Sequence, residues 1–144
     1  MAQDTTLVQL LEQQINVENE YVQRLNSLRC KVGIAAARLL LLEMRLDTEK
    51  RAAILGEMKD ILEGIPQGTS LWDHTLDEYV DQTLVKNEFE EEVKRETVNL
   101  ERLKKEMAHT RDEGLRLLCQ NIEEDEKKHD KITKIIVKNL YRIR

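Results

Sequence analysis

Apolar residues recur at steps of three and four along almost the whole chain, the spacing that holds one face of an α-helix against a core. Four stripes can be traced. The first runs through Leu7, Leu11, Ile15, Glu18, Val22 and Leu25, and the second through Leu40, Met44, Asp47, Arg51, Ile54, Met58 and Ile61. The third runs through Val85, Phe89, Val93, Glu96, Leu100, Leu103 and Met107, and the fourth through Leu118, Ile122, Asp125, His129, Ile132, Ile136 and Leu140. The pattern predicts helices over about residues 5–29, 34–63, 74–109 and 112–142.

The joins set the topology. Gly33 separates the first two helices and Thr110-Arg111-Asp112 the last two. Joins this short make antiparallel hairpins, over about residues 5–63 and 74–142. Between them lies the only Gly/Pro-rich segment, Gly64-Ile65-Pro66-Gln67-Gly68-Thr69-Ser70, followed by Trp72, which is expected to cover one side of the bundle. Extended, residues 64–75 could reach about 40 Å, enough for helix 3 to run parallel to helix 2. The expected fold is all-α: a single-domain four-helix bundle of two hairpins joined by a long crossover.

Composition narrows the classes. Five Gly and one Pro in 144 residues cannot punctuate a sandwich or barrel. No apolar run approaches the roughly 20 residues of a membrane span, and Met1-Ala2-Gln3-Asp4 does not begin a secretory leader, so a cytoplasmic protein is expected. Net charge is −5 but uneven: Leu76–Glu96 carries eight acids and three bases, Lys127–Arg144 seven bases and one Asp. The basic end suits a helix C-terminus. With 3% aromatics and a negative total, neither nucleic acid nor an anionic membrane is an expected partner. Cys30 and Cys119 form no Cys-x-x-Cys pair, which excludes a zinc ribbon or rubredoxin-like iron site and leaves two free thiols. His74, in the crossover, and His109, at the end of helix 3, have no ligand-spaced partner.

A shift of 78 residues aligns the two hairpins without a gap. It carries Glu18 onto Glu96, Arg24-Leu25 onto Arg102-Leu103, and Arg38-Leu39-Leu40 onto Arg116-Leu117-Leu118. Asp47 falls on Asp125, Lys50 on Lys128, Ile54 on Ile132 and Leu62 on Leu140. Polar stripe positions match polar stripe positions, which predicts an internal duplication and a pseudo-two-fold bundle.

Those polar positions are the candidate site. Glu18, Glu96, Asp47, Asp125, Arg51 and His129 stand near the middle of their helices where apolar residues are expected. Burying an unpaired charge is costly, so such a layer calls for cations, protons or water. Glu126 and His129, three apart on helix 4, offer an oxygen and a nitrogen to one metal.

One inward Glu from each of two helices, with Glu-x-x-His from the others, is the ligand set of ferritin-like di-iron bundles. The chain thus resembles the ferritin-like superfamily, particularly its small rubrerythrin-like members. Asp125-Glu126-Lys127-Lys128-His129 looks like the family's Asp-Glu-x-x-His motif, and Glu18 and Glu96 match its lone carboxylates. The resemblance implies that Glu126 bridges two metals, that His129 binds one and that Asp125 supports a His. Helix 2 departs from it. In Asp47-Thr48-Glu49-Lys50-Arg51, Thr48 stands at the bridging Glu and Arg51 at the His, so a six-ligand di-iron centre cannot assemble.

Two outcomes stay open. In the first, no metal binds: Arg51, Lys50 and Lys128 neutralise the carboxylates, Asp47 and Asp125 belong to the same ion-pair network, and the protein is a non-catalytic structural or interaction module. In the second, a single Fe, Mn or Zn is held by Glu96, Glu126 and His129 with Glu18 nearby, in an oxidoreductase-like protein. A homodimer is expected either way.

Overall fold

A computed structural model describes residues 5–66, 68–74 and 82–140. The chain is all-α, with four helices and no β-strand among the described residues: α1 (Thr5–Lys31), α2 (Ala35–Glu63), α3 (Gln82–His109) and α4 (Glu113–Leu140). α1 packs on α2 and α3 on α4, as two compact units that divide after His74. None of these helices is long and apolar enough to cross a membrane. The expected helix bounds hold within two residues except at α3, where His74 lies outside the helix and residues 75–81 lie outside the described ones. The expected last two residues of helix 4, 141 and 142, lie outside them as well.

In the first hairpin a three-residue turn, 32–34, reverses the chain. Ion pairs fix the antiparallel register: Glu12 with Lys59 at 3.0 Å and Glu18 with Arg51 at 3.5 Å. The face of α1 that meets α2 is Leu11, Ile15, Glu18, Val22 and Leu25, as the first stripe predicts; Leu25 is 2% exposed. At the open end, Gly64 ends α2 and turns Ile65 back beneath Leu11 and Leu62, where it is 1% exposed. Gly68 takes a positive φ of 85°. Trp72, in the segment that follows, is 43% exposed.

The second hairpin repeats the first. Its turn, 110–112, is again three residues long. Asp112 caps α4: its Oδ1 accepts the Leu115 N–H at 2.9 Å, satisfying one of the helix's free donors. A 78-residue shift carries the end of α1, Lys31, onto the end of α3, His109, and the start of α2, Ala35, onto the start of α4, Glu113. The covered face of α3 is Phe89, Val93, Glu96, Leu100, Leu103 and Met107, the third stripe and the shifted counterpart of α1.

The second and fourth stripes require a correction. Met44 and Ile54 on α2, and Ile122, His129 and Ile132 on α4, are exposed rather than packed on the hairpin partner, and Arg51, also exposed, reaches α1 only by its guanidinium. Each helix is turned by about one residue, some 100°, from the expected setting. α2 meets α1 through Thr48, Ala52, Leu55 and Leu62, and α4 meets α3 through Glu126, Asp130, Thr133 and Val137. The small Thr48 and Ala52 let α1 approach closely. The Thr48 hydroxyl donates to the Met44 carbonyl at 2.8 Å, so complete burial leaves it satisfied.

Candidate functional site

Each hairpin carries a mid-helix carboxylate on the covered face of its first helix: Glu18 on α1 and Glu96, its 78-shifted counterpart, on α3. Their surroundings differ.

Glu18 is compensated. Its side chain is 12% exposed, accepts the Gln14 amide at 3.1 Å, and pairs with the Arg51 Nε at 3.5 Å. Arg51 reaches in from the flank of α2, and its Nη2 also donates to the Thr48 Oγ1 at 3.3 Å. The guanidinium therefore bridges a carboxylate and a buried hydroxyl with its fixed fork of donors, which an ammonium cannot match. The neighbouring charges are paired along α2 itself: Arg45 with Glu49 at 2.7 Å, and Asp47 with Lys50 at 3.9 Å. Lys50 thus compensates Asp47.

Glu96 meets like charges. Across from it α4 offers Glu126, one turn later Asp130, and His129 between them. The Glu96 Oε2 is buried and has no hydrogen-bond partner among the described residues. Burial pushes its carboxyl above the ordinary range, and the negative charges of Glu126, Asp130 and Glu92 push it further, with His129 opposing. Asp130 is tied to Lys134 at 2.8 Å, while the His129 Nδ1 lies 4.0 Å from Glu126 with half of its side chain in solvent. A shallow groove runs over this cluster, lined by Glu96, Thr97, Leu100, Glu126 and Asp130 and, along its α4 side, by Lys127, Lys131 and Lys134.

Of the sequence candidates, the structure brings together Glu18, Thr48 and Arg51 in one hairpin, and Glu96, Glu126 and His129 in the other. Asp125 is half-buried and Lys128 exposed. Sequence reasoning missed Asp130, although its place one turn after Glu126 on α4 was the signal. It also missed the Glu12–Lys59–Glu63 tie, in which the two carboxylates hold Lys59 above its ordinary range.

The donors of hairpin 1 do not fit a metal, because a permanent cation already occupies the carboxylate. In hairpin 2 the carboxylates converge, but among the described residues no three His, Cys, Asp or Glu side chains are grouped closely enough to hold an ion. Comparison with protein-family models, with curated proteins and with solved structures finds no match to this chain.

Proposed function

We propose that the chain is a non-catalytic structural or interaction protein, a ferritin-like relative that works as a homodimer in the cytoplasm. The observation that carries this reading is the Arg51–Glu18 pair, seated on Thr48. At the two helix 2 positions where the ferritin-like pattern places metal ligands, this chain has a cation and a buried hydroxyl. Arg51 then does with one permanent charge what a metal would do. The hairpin correspondence under the 78-residue shift supports descent from a duplicated hairpin. A reducing compartment suits the unpaired Cys30 and Cys119.

The test is metal analysis of protein purified without chelator. The expected result is less than about 0.1 equivalent of Fe, Mn or Zn, with no thermal stabilisation when each is added in excess. Stoichiometric metal that is lost in Glu96→Ala and His129→Ala would refute the reading. It would favour the alternative, a single-metal oxidoreductase-like protein. The specific support for that alternative is the partnerless Glu96 Oε2 facing two further carboxylates.

A further inference from the structure

The turns of the two hairpins differ at the position that starts the second helix of each. The 78-residue shift carries Ile34 onto Asp112. Asp112 caps α4 by accepting the Leu115 N–H at 2.9 Å, and Glu113 follows it in the first turn. Ile34 holds the same place before α2, where no side chain caps the helix and the first turn carries no acid. The free N–H groups at the start of α2, and the positive end of its dipole, are thus met by no side chain. Ile34 itself is 70% exposed, more than any other large apolar residue described. An aliphatic side chain in solvent at a cap position gives the hairpin neither a cap nor a core contact.

The charge around this turn is of one sign. Residues 21–42 contain Arg24, Arg29, Lys31 and Arg38 and no Asp or Glu. The matching stretch of the second hairpin, residues 99–120, mixes its bases with Glu101, Glu106, Asp112 and Glu113. Among the described residues none of the four cations is paired with a carboxylate. Arg29 keeps its Nε covered and without a partner, and the Arg38 Nε donates to the Val32 carbonyl, which ties that guanidinium to the turn. Leu28 and Leu39, 49% and 45% exposed, lie within about 8 Å of the turn along the helix axes. The turn closes the end of the hairpin remote from Gly64, where the chain leaves it. Helices packed side by side cover one another's flanks rather than their ends. The first hairpin therefore ends in a tip that is apolar at its point and cationic around it.

This combination fits a surface that is anionic outside and apolar just beneath, as an acidic lipid headgroup layer is. A nucleic acid would match the cations alone, because residues 22–42 hold no aromatic side chain to stack on a base. The net charge of −5 is an average over the whole chain that this end does not share. The nearest acids in sequence, Glu20 and Glu43, stand about 16 Å before Lys31 and about 12 Å beyond Ala35 along the helices. Both separations exceed the Debye length of about 8 Å at physiological salt.

We propose that the turn of the first hairpin docks on an anionic lipid surface. Ile34 enters the headgroup boundary with Leu28 and Leu39 behind it, a depth within the roughly 5–10 Å reached by interfacial helices. Lys31, Arg38 and Arg24, with the open N–H groups of α2, meet lipid phosphates. The hairpin rests on the surface by its tip, and neither of its helices is long and apolar enough to cross a membrane. The proposal goes beyond the structural or interaction role above and depends on neither the Arg51 pair nor the metal content.

Co-sedimentation of the full chain with vesicles tests it. At about 0.1 M salt the wild type should bind vesicles containing about 40% phosphatidylserine at least 10-fold more tightly than vesicles of phosphatidylcholine alone, and about 0.5 M salt should release it. Lys31→Gln should weaken binding about 5-fold, the loss expected for one surface cation. Ile34→Ser, which removes the apolar contact without adding charge, should weaken it about 10-fold. Ile34→Asp installs the cap of the second hairpin: it should raise Tm by a few degrees and abolish vesicle binding. A merely structural role for Ile34 cannot give those opposite signs. Failure of the folded wild type to bind phosphatidylserine vesicles, or binding retained in Ile34→Asp, would overturn the proposal. So would binding to single-stranded RNA that exceeds vesicle binding and is unaffected by Ile34→Ser.

Discussion

The Arg51–Glu18 pair makes the sharpest demand on the proposed role of hairpin 1, and a double-mutant cycle measures it. At 3.5 Å two unit charges attract by about 1.2 kcal/mol in bulk water and by a few times that at the effective dielectric of a protein surface. Arg51 is half in solvent, which draws the net value toward the lower figure. Glu18 is mostly covered, so losing its partner also strands a poorly hydrated carboxylate that keeps only the Gln14 bond. Arg51→Ala should therefore cost about 1–2 kcal/mol and Glu18→Gln less, with a coupling of about 1 kcal/mol between them. Arg51→Lys should recover only part of the loss, since an ammonium cannot engage Glu18 and Thr48 with one planar fork. The assay is urea unfolding followed by circular dichroism at pH 7, at one fixed protein concentration, with and without 1 M salt. A coupling below about 0.3 kcal/mol at low salt, or full rescue by Lys, would show that Arg51 is an ordinary surface residue.

Two further outcomes follow from the same coordinates. The Glu96 carboxyl sits above its unfolded value, near 4.5, so the folded chain binds more protons than the unfolded one just above that pH. Stability therefore falls as pH rises through that window, by at most about 1.4 kcal/mol per pH unit for one proton, and levels off once Glu96 is ionised in both states. Glu96→Gln should abolish this decline and be more stable than wild type at pH 8 but not at pH 4; equal stability at pH 8 would refute the desolvation argument. Leu25→Ala, at 2% exposure between α1 and α2, should cost about 2–4 kcal/mol in denaturant unfolding. A cost below about 1 kcal/mol would mean that the contact face of α1 is misplaced.

Much of the architecture is legible from periodicity alone, and where it fails the reason is physical. α1 and α3 meet their neighbours through the stripes the sequence displays. On α3 the flanking positions are Glu, Lys, Arg and Asn, so only one face is available. On α2 and α4 the face that meets the hairpin partner is the more polar one, with Thr48 and Ala52 on α2 and Glu126, Asp130 and Thr133 on α4, so hydropathy points to the wrong stripe. The answer lies in side-chain size and local hydrogen bonding: Thr48 and Ala52 allow close approach, and the Thr48 hydroxyl is satisfied within its own turn. Thr48 thus reads in the sequence as a missing ligand, whereas in the fold it is the most deeply buried polar side chain described. The placement of Glu18 and Glu96 was legible because an acid interrupting an apolar stripe is conspicuous. The Glu12–Lys59 tie was not, because both residues look like solvated surface until the hairpin register is known.

The two hairpins pose one electrostatic problem at one register and solve it differently. A carboxylate packed against the facing helix must be matched by a cation, a proton or water. In the first hairpin the facing helix supplies Thr48 and Arg51, and the charge is met by a guanidinium held at fixed geometry. In the second the shifted counterparts are Glu126 and His129. There burial and the carboxylates of α4 raise the Glu96 carboxyl above its ordinary range, while Lys127, Lys131 and Lys134 line the same groove. Arg51 thus holds the covered carboxylate of the first hairpin, whereas at the matching position of α4 stands His129, half in solvent and 4.0 Å from Glu126.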